Sequence, residues 1–471
     1  MLGDAPVEVT GVSLSTARIR PGDLYAALPG AHAHGADFAG DALAAGAVAV
    51  LTDPAGAARL AAGTPALVVA DVRRVLGSVS AEVYDHPAAA VRMIGVTGTQ
   101  GKTTTTRLAE GGLERAGIPA AVVGTIGTRL AGVDVRTALT TPEAPDLHGL
   151  FAVMRERGIG ACAMEVSSHA LVLGRVDGVV FDVAVFTNLG RDHLDFHTDL
   201  EDYYRAKASL FTLGRSRRAL VNVDDEHGRR LAAEAEIPVR TYALADPAAD
   251  WRAVDVDLTA AGSRFVVLGP DGIRVEAGCP LPGDFNVANT LAAVAACAEA
   301  GFDAAAVAAG IAAGGGVPGR LERVEAGQPF TVVVDYAHKP DAVEAAIRTL
   351  RPLTSGRVIV VLGAGGDRDA GKRPLMGEIA ARAADLLVVT DDNPRTEDPA
   401  AIRREVLAGA AGAGETVEIG DRRAAIRHAL GIAAPGDVVL IAGKGHESGQ
   451  EIDGVVYPFD DRVVAHEELI A

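Results

Sequence analysis

Short apolar runs alternate with longer, more polar segments along most of the chain. In residues 358–362 and 438–442, for example, every side chain is apolar. Continuous apolar runs of about four to eight residues are typical of strands that are buried on both faces of a parallel sheet, with helices covering those faces. The pattern therefore predicts an α/β protein in which strands and helices alternate.

The same pattern divides the chain into three α/β blocks, comprising residues 1–88, 89–317 and 318–471. A glycine-rich stretch at 313–319 is typical of a hinge before the last block. The predicted strands are 24–28, 47–52 and 67–70 in the first block, 91–96, 121–124, 161–166, 183–187 and 219–223 in the second, and 331–334, 358–362, 386–389 and 438–442 in the third. The predicted helices of the second block are 145–157 and 200–212.

Composition narrows the possible function classes. The chain has 44 lysine and arginine residues against 62 aspartate and glutamate residues, and the net charge of −18 argues against a nucleic-acid-binding protein. No apolar run is long enough to span a bilayer, and the N-terminus does not resemble a signal peptide. The three cysteines fit neither a disulfide framework nor a zinc site. We therefore expect a cytoplasmic protein without nucleic-acid or membrane partners.

Residues 91–106, VRMIGVTGTQGKTTTT, form the most informative segment. An apolar strand leads into a glycine loop that closes on Gly101-Lys102-Thr103 and opens a helix, as phosphate-binding loops do. The lysine of such a loop reaches the outer phosphates, and the threonine hydroxyl can ligate Mg²⁺. The spacing from Gly98 is shorter than the usual G-x4-G-K-T, because Val96 stands five positions before Gly101. The segment still predicts an enzyme that uses a nucleoside triphosphate.

Two other segments of the second block carry candidate metal ligands. Glu165 ends the predicted strand ACAMEV, where an acidic residue can hold Mg²⁺. The segment TNLGRDHLDFH at 187–197 follows another strand and includes His193, and its histidine and carboxylate side chains could supply a second metal site. Solvated polar loops are the alternative for both segments. Lys207 lies in the predicted helix EDYYRAKASLF, and the default for an isolated helical lysine is a surface position.

Four polar motifs follow strand ends in the third block: DYAHKPD, GAGGDRDAGKRP, DDNPRTEDP and GKGHE. Ligands of open α/β sheets bind at the carboxyl ends of strands, so these motifs indicate a pocket for a small zwitterion or polyanion. Arg368 and Arg395 could clamp a carboxylate, and Asp392 and Glu447 could hold ammonium groups. Salt bridges among these same residues are the alternative.

Nine motifs in order, VTGTQGKTTT, MEVSSHAL, TNLGRDHLDFH, LPGDFNVANT, VPGRLE, DYAHKPD, GDRDAGKRPLMG, DDNPRTEDP and GKGHE, resemble the Mur ligases of peptidoglycan synthesis over essentially the whole chain. The resemblance implies a small N-terminal α/β domain (1–88) for the UDP end of the substrate. It further implies a central P-loop ATPase-type domain (89–317) for ATP and a C-terminal Rossmann-like domain (318–471) for the amino acid. We expect the chain to act as a monomer.

The reaction implied by the resemblance is ATP-dependent amide formation. The γ-phosphoryl group would pass to the γ-carboxylate of D-Glu in UDP-N-acetylmuramoyl-L-alanyl-D-glutamate, and the amine of meso-diaminopimelate would then displace phosphate. The resemblance assigns catalytic roles to Lys102, His193 and Lys207, with Lys207 carbamylated to N6-carboxylysine. Two Mg²⁺ ions would be held by Thr103, Glu165, His193 and the carbamate of Lys207.

The resemblance also implies the binding residues. Those near ATP are Gly98, Thr99, Gln100, Gly101, Lys102, Thr103, Thr104, Asn289, Arg320, Asp335 and His338. Those for the muramoyl-dipeptide are Ser15, Thr140, Thr141, Ser167 and Arg175. Those for diaminopimelate are Arg368, Asp392, Asn393, Pro394, Arg395, Gly443 and Glu447.

Arg395 is the residue on which amino-acid specificity is expected to depend, since diaminopimelate differs from lysine by a carboxylate at its far end. Two positions depart from the family pattern. Gln100 replaces the usual asparagine, and Ser15-Thr16-Ala17 replaces Asp-Ser-Arg in the first domain, which leaves Ser15 as the one candidate there for pyrophosphate or uracil contact.

Three alternatives remain at this point. The DNPR motif disfavours a lysine-adding ligase of the same family, and the UDP-type first domain disfavours a folylpolyglutamate synthase. A P-loop ATPase acting as a mechanical switch would need an Asp-rich Walker B strand, whereas this chain has Glu165 in a Ser-Ser-His context.

Overall fold

The computed structural model describes residues 7–135, 137 and 139–471. The chain forms two compact units. The first contains the chain up to Val254 with 267–275 and 289–310, and the second contains 255–266, 276–288 and 311–471. None of the helices in the described ranges has the length and apolar character needed to cross a membrane. The predicted division into three domains stays a prediction.

The first unit opens with a small parallel sheet. Its strands are β1 (Gly11–Ser13), β2 (Asp23–Ala26), β3 (Ala49–Thr52) and β4 (Ala66–Val68), paired in that order, and its helices are α1 (Ala39–Ala44), α2 (Pro54–Ala57) and α3 (Val72–Val83). Helix α3 begins after Asp71, whose carboxylate accepts hydrogen bonds from the N–H groups of Arg73 and Arg74. Strands β2 to β4 confirm the three strands predicted here, whereas β1 was not predicted.

The large sheet follows. Its strands are β5 (Arg92–Thr97), β6 (Ala120–Gly124), β7 (Gly127–Leu130), β8 (Val133–Val135), β9 (Ala161–Glu165), β10 (Val183–Phe186), β11 (Ala219–Asn222), β12 (Val239–Ala243), β13 (Trp251–Thr259), β14 (Gly262–Leu268) and β15 (Arg274–Cys279), in the order β15-β14-β13-β12-β11-β10-β5-β9-β6-β7-β8. The accompanying helices are α4 (Lys102–Arg115), α5 (Ala144–Glu156), α6 (Ser168–Val172), α7 (Leu200–Ala208), α8 (Glu226–Glu234), α9 (Asp284–Glu299) and α10 (Ala304–Ala312).

The middle of this sheet is parallel, from β12 through β11, β10, β5 and β9 to β6. All five predicted strands of this block and both predicted helices are confirmed, with α7 passing into a 3-10 turn at Ser209–Phe211. The central strands are apolar along their length because side chains such as Phe151, Phe181 and Phe186 fill the core beside them. The antiparallel strands β7 and β8 were not predicted.

The second unit contains a sheet in the order β16-β17-β21-β18-β19-β20. Its strands are β16 (Glu322–Arg323), β17 (Thr331–Asp335), β18 (Val358–Leu362), β19 (Leu386–Val389), β20 (Thr416–Glu418) and β21 (Val438–Ala442). A separate hairpin pairs β22 (Gly449–Ile452) with β23 (Val455–Pro458), and the helices are α11 (Pro340–Leu350), α12 (Lys372–Ala383), α13 (Pro399–Ala410), α14 (Arg422–Ile432) and α15 (Asp461–Ile470). All four predicted strands of the third block are confirmed.

Strand β18 shows why these strands read as uninterrupted apolar runs. Val358, Val360 and Leu362 belong to one hydrophobic cluster, whereas Ile359 and Val361 belong to another. Successive side chains of a strand point to opposite faces, so the sheet has a core on each side. Strands β17, β21, β18 and β19 are parallel neighbours. The four polar motifs that follow them therefore share one edge of the sheet, as predicted.

Candidate active site

The phosphate-binding loop joins β5 to α4. Gly98 has φ +145°, and a Cβ added there would lie 1.9 Å from Thr187 Oγ1, so only glycine fits this close approach. Gly101 is also left-handed and directly precedes α4. The loop thus brings backbone N–H groups and a helix N-terminus together, which is an arrangement that binds phosphate.

Two lysine side chains converge on this loop. Lys102 Nζ donates hydrogen bonds to Gly98 O at 2.8 Å and Thr99 O at 2.9 Å. Lys207 Nζ donates to the same Gly98 O, also at 2.8 Å. The ammonium group of Lys102 thus places positive charge beside the loop where a triphosphate would lie. Thr103 and Thr104, the next residues of α4, are both buried.

Lys207 is not a surface residue, so the default drawn from its helical position is wrong. Only 1% of it is exposed, and its Nζ lies 4.4 Å from the ring centroid of Tyr203, one turn earlier on α7. Burial, with the nearby charge of Lys102, holds the pKa of the Lys207 amine well below its usual range. The prediction failed because α7 packs against the loop that follows β5. The spacing of residues within α7 does not reveal that contact.

The loop at 187–197 packs against the phosphate-binding loop. Thr187 Oγ1 donates to Gln100 O at 2.6 Å, and Gln100 N–H donates to Asn188 Oδ1 at 2.9 Å. These bonds use the main chain of Gln100, so the departure from asparagine leaves them intact. His193 has φ +53° and is 39% exposed at its side chain, with its Nε2 3.5 Å from Asp192 Oδ2.

Glu165 lies at the end of β9, opposite Val96 of β5. Its carboxylate accepts hydrogen bonds from Thr125 N–H at 2.8 Å and from Thr125 Oγ1 at 3.0 Å. Glu165 is 1% exposed, yet a carboxylate has about four acceptor positions, of which these bonds use two.

The oxygen donors of this region suit magnesium. Mg²⁺ is usually held by one or two carboxylates together with substrate phosphates and water, and Glu165 and Thr103 are a carboxylate and a hydroxyl of that kind, whereas the imidazole of His193 is a softer nitrogen donor. Within the described ranges no group of three or more His, Cys, Asp or Glu side chains could hold a metal by itself.

Four residues predicted to contact the dipeptide substrate gather beside Glu165. Thr141 Oγ1 donates to Glu165 O at 2.8 Å and lies 3.4 Å from Ser167 Oγ. Arg175 Nη1 donates to Thr141 O at 3.4 Å, and Thr140 Oγ1 lies 3.2 Å from Thr125 Oγ1. The structure thus brings Thr140, Thr141, Ser167 and Arg175 together. Ser15 makes local bonds instead, with its N–H donating to Ser13 Oγ at 3.2 Å.

Sequence reasoning missed several residues of this region. Glu143 pairs with Arg175 at 2.8 Å and with Arg73 at 3.1 Å, and Tyr203 and Thr125 contact predicted site residues. Asn289, predicted to lie near the nucleotide, lies beside the loop, since a Cβ on Gly101 would fall 2.5 Å from its Oδ1. A Gly-Thr pair after a strand is the one signal that could have drawn attention to Thr125.

In the second unit, three predicted nucleotide-contact residues lie at or near the end of β17. Asp335 Oδ1 and Oδ2 accept from the N–H groups of Ala337 and Leu321. Arg320 lies over the ring of Tyr336, 4.8 Å from its centroid. His338 Nδ1 is 2.7 Å from Tyr336 O and must donate to it, because a carbonyl only accepts. Burial lowers the pKa of His338 to about 4, so the ring is neutral and its Nε2 is an acceptor.

The edge formed by β18, β19 and β21 carries a polar cluster around Asn393. Its side-chain N–H donates to Glu447 at 2.8 Å, and its Oδ1 accepts from the buried Lys444 at 2.9 Å. Lys444 also pairs with Glu447 at 3.2 Å. The Lys444 side chain thus lies beside Glu447, which was predicted to hold an ammonium group of a ligand. Lys444 was missed because a single lysine in a glycine-rich loop forms no recognisable pattern.

Arg395 and Arg368 have separate partners. Arg395 has φ +52°; its Nη1 donates to Gly366 O at 2.7 Å and its Nε lies 3.2 Å from Glu451 of β22. Arg368 is exposed and its Nη1 donates to Asp367 O at 3.3 Å. Pro394 lies against the loop of Gly366, and Asp392 approaches Gly443, where a Cβ would be 2.6 Å from the carboxylate. Glu451 was not predicted.

A glycine-rich phosphate-binding loop, two lysine side chains that meet on it and an acidic strand end define a nucleotide-dependent P-loop enzyme. Three family descriptions match the chain: "Mur ligase family, catalytic domain" over residues 8–84, "Mur ligase middle domain" over 96–297 and "Mur ligase, glutamate ligase domain" over 319–445. The chain belongs to the Mur ligase family and is an ATP-dependent ligase.

Similar proteins support this membership. The chain is 58% identical to the UDP-N-acetylmuramoyl-L-alanyl-D-glutamate--2,6-diaminopimelate ligase of Streptomyces coelicolor, covering 99% of this chain and 93% of that relative. It is 57% identical to the ligase of the same name from Streptomyces avermitilis, covering 98% and 92%. A solved structure of a ligase with this name is 35% identical, with a TM-score of 0.71 over 98% of this chain and 95% of the other.

Proposed function

We propose that this protein uses ATP to join meso-diaminopimelate to the D-Glu γ-carboxylate of UDP-N-acetylmuramoyl-L-alanyl-D-glutamate, a step in making a peptidoglycan precursor. The geometric observation that carries the proposal is the meeting of Lys102 and Lys207 on Gly98 O beside a phosphate-type loop. The names of the relatives supply the two substrates.

The first half of the reaction activates a poor electrophile. A carboxylate oxygen of D-Glu attacks the γ-phosphorus of ATP, the bond to the β-phosphate oxygen breaks, and ADP leaves as an acyl phosphate forms. Two anions must meet in this step, so Lys102 and the backbone N–H groups of the loop hold the phosphates. Thr103, Glu165 and His193 would hold two Mg²⁺ ions, which neutralise charge between the carboxylate and the triphosphate.

In the second half, an amine of diaminopimelate attacks the acyl carbon. The carbon–oxygen bond to phosphate breaks, inorganic phosphate leaves, and the ammonium-type product loses a proton. The Asn393 cluster and Arg395 would orient the amino acid. In the proposed division of labour, residues 1–88 bind the UDP end, 89–317 bind ATP and 318–471 bind the amino acid, and the chain acts as a monomer in the cytoplasm.

Lys207 is proposed to react with CO₂. Its neutral amine would form a nitrogen–carbon bond to CO₂ and release one proton, which gives a carbamate anion able to orient a metal. Only the neutral amine can do this, and burial of Lys207 favours the neutral form. The short distance to Lys102 at Gly98 O disfavours two ammonium groups in the same place, which supports the same conclusion.

The deciding experiment measures ATP consumption and product mass with each candidate amino acid. Purified protein is given ATP, Mg²⁺ and UDP-N-acetylmuramoyl-L-alanyl-D-glutamate with meso-diaminopimelate, lysine or no amino acid. We expect ADP and the tripeptide product with diaminopimelate only. Equal product with lysine would contradict the specificity, and an absence of ADP formation with all components present would contradict the proposed function.

A further inference from the structure

The turn between β6 and β7 holds the carboxylate of Glu165 at both oxygens. Gly124 pairs with Gly127 across this hairpin, so Thr125 stands in its two-residue turn. Thr125 N–H donates to Glu165 Oε1 at 2.8 Å, and Thr125 Oγ1 donates to Glu165 Oε2 at 3.0 Å. Thr125 therefore fixes the rotation of the Glu165 carboxylate about its Cγ–Cδ bond.

The neighbouring Gly124 allows Thr125 to form these two hydrogen bonds. A Cβ on Gly124 would lie 2.3 Å from Glu165 Oε1 and 3.0 Å from its Cδ. Such contacts are too short for any side chain, so the turn can approach the carboxylate only through glycine. The main chain of Glu165 is held as well, since Thr141 Oγ1 donates to its carbonyl oxygen at 2.8 Å.

Thr125 also connects Glu165 to Thr140. The two threonine hydroxyls are 3.2 Å apart, and geometry alone permits either to donate. A hydroxyl has a single hydrogen, and that of Thr125 is used by Glu165. Thr140 must therefore donate to Thr125, which leaves Thr140 with only lone pairs to offer to anything else.

We propose that Thr125 is a positioning residue that holds Glu165 for a divalent cation and makes Thr140 a hydrogen-bond acceptor toward the muramoyl-dipeptide substrate. This inference rests on the proposed function for the identity of that substrate. Thr140 would then contact an N–H or O–H group of the substrate rather than a carboxylate. The chain of hydroxyls links occupancy of the dipeptide site to the orientation of Glu165.

The first test measures Mn²⁺ affinity rather than turnover. Free Mn²⁺ is counted by electron paramagnetic resonance in the presence of the ATP analogue AMPPCP. Thr125→Val and Thr125→Ala both remove the hydroxyl, and at least one should keep the hairpin folded, as thermal melting would verify. We expect Mn²⁺ affinity to fall about 10-fold or more, because residues that orient a ligand usually matter that much. Thr125→Ser, which keeps the hydroxyl, should stay within about 3-fold.

The second test is a double-mutant cycle read by calorimetry with UDP-N-acetylmuramoyl-L-alanyl-D-glutamate. Thr140→Val should weaken binding by a larger factor in the native background than in the Thr125→Val background, because the two hydroxyls act through one chain. Equal factors in the two backgrounds, or native Mn²⁺ affinity in both hydroxyl-less variants, would overturn the inference.

These results are separable from the main proposal. Suppose that the unmodified protein made no product, but that the variants without the Thr125 hydroxyl bound Mn²⁺ more weakly than it does. The proposed reaction would then be wrong, and the role of Thr125 in positioning Glu165 would stand.

Discussion

Burial of a lysine within a polar site is the residue-scale feature with the clearest chemical consequence. Lys207 is removed from water and lies close to Lys102, and both effects favour its neutral amine. A neutral amine is a nucleophile toward CO₂, whereas an ammonium is not. The same residue on a solvated face of α7 would keep its proton.

Lys207→Arg is predicted to lose ligase activity by about 100-fold or more, because a guanidinium cannot form a carbamate and keeps its positive charge. Nuclear magnetic resonance with ¹³C-bicarbonate should show a carbamate signal in the unmodified protein and none in the variant. Arg205→Ala, an exposed position on the same helix, is the control and should retain activity. A carbamate signal that survives in Lys207→Arg would show that another amine carries it.

Arg395→Ala is predicted to lower kcat/KM for diaminopimelate on the order of 1,000-fold, since the far carboxylate of the amino acid would lose its partner. AMPPCP affinity should change by no more than about 3-fold, as the nucleotide has separate contacts. Steady-state kinetics and calorimetry measure the two effects. Arg382→Ala, at an exposed arginine of α12, is the control. A loss of equal size in both measurements would point to a folding defect instead of a specificity role.

At the scale of elements, the residue directly after strand β5 is a glycine, which lets the loop before helix α4 pass close to Thr187. Gly98→Ala is predicted to weaken AMPPCP binding by about 100-fold or more, since its Cβ would meet Thr187 Oγ1 at 1.9 Å and force the loop to move. Calorimetry measures the change. Gly40→Ala in α1, where a Cβ meets no atom within 4 Å, should leave binding unaltered. If Gly98→Ala kept the native AMPPCP affinity, the phosphate-binding loop would not need a glycine at this position and the prediction would be wrong.

Helices α14 and α15 are joined by an ion pair that has no exposure to solvent. Arg422 donates to Asp461 at 2.8 Å and 2.6 Å, and also to Ala442 O at 2.9 Å. Asp461→Ala is predicted to destabilise the second unit by about 3–5 kcal/mol, because it leaves a buried guanidinium without its partner. Urea unfolding followed by circular dichroism measures this change.

The matched control for that prediction is Glu378→Ala, which breaks an exposed pair with Arg382 on α12. Surface pairs contribute little, so its effect should stay below about 1 kcal/mol. Similar losses in the two variants would contradict the assigned importance of the buried pair.

Which elements could be predicted follows from how many of their faces are buried. Strands such as β18 and β21 have cores on both sides, and their uninterrupted apolar runs identify them. Strands β13 and β22 have exposed or half-buried residues and mixed polar sequences, so no apolar run marks them. Strand β23 is an exposed apolar run, VVYP, that was not predicted. Strand β1 was missed because its sequence, GVS, has only one large apolar side chain, whereas the equally short β4 reads ALV.

At the scale of the whole molecule, ligand binding should increase the free energy of unfolding. Mg²⁺ with AMPPCP at about 100 times its Kd contributes about 2.7 kcal/mol to the folded state. That gain corresponds to a rise of about 4–5 °C in the unfolding temperature of the first unit, which contains the phosphate-binding loop. Differential scanning calorimetry measures the shift, and Lys102→Ala should abolish most of it. An unchanged melting temperature in the unmodified protein would contradict nucleotide binding.

Much of this protein was determined by local sequence. The order of motifs, the phosphate-binding loop and the apolar strands depend on residues close together in the chain, where spacing alone decides the backbone. The environment of single side chains was decided only by tertiary structure. Three contacts between residues far apart in sequence show this: Lys207 with Gly98, Thr125 with Glu165, and Arg395 with Glu451. Solvent exclusion and hydrogen-bond partners at such sites come from whatever packs against them, and no local pattern records that.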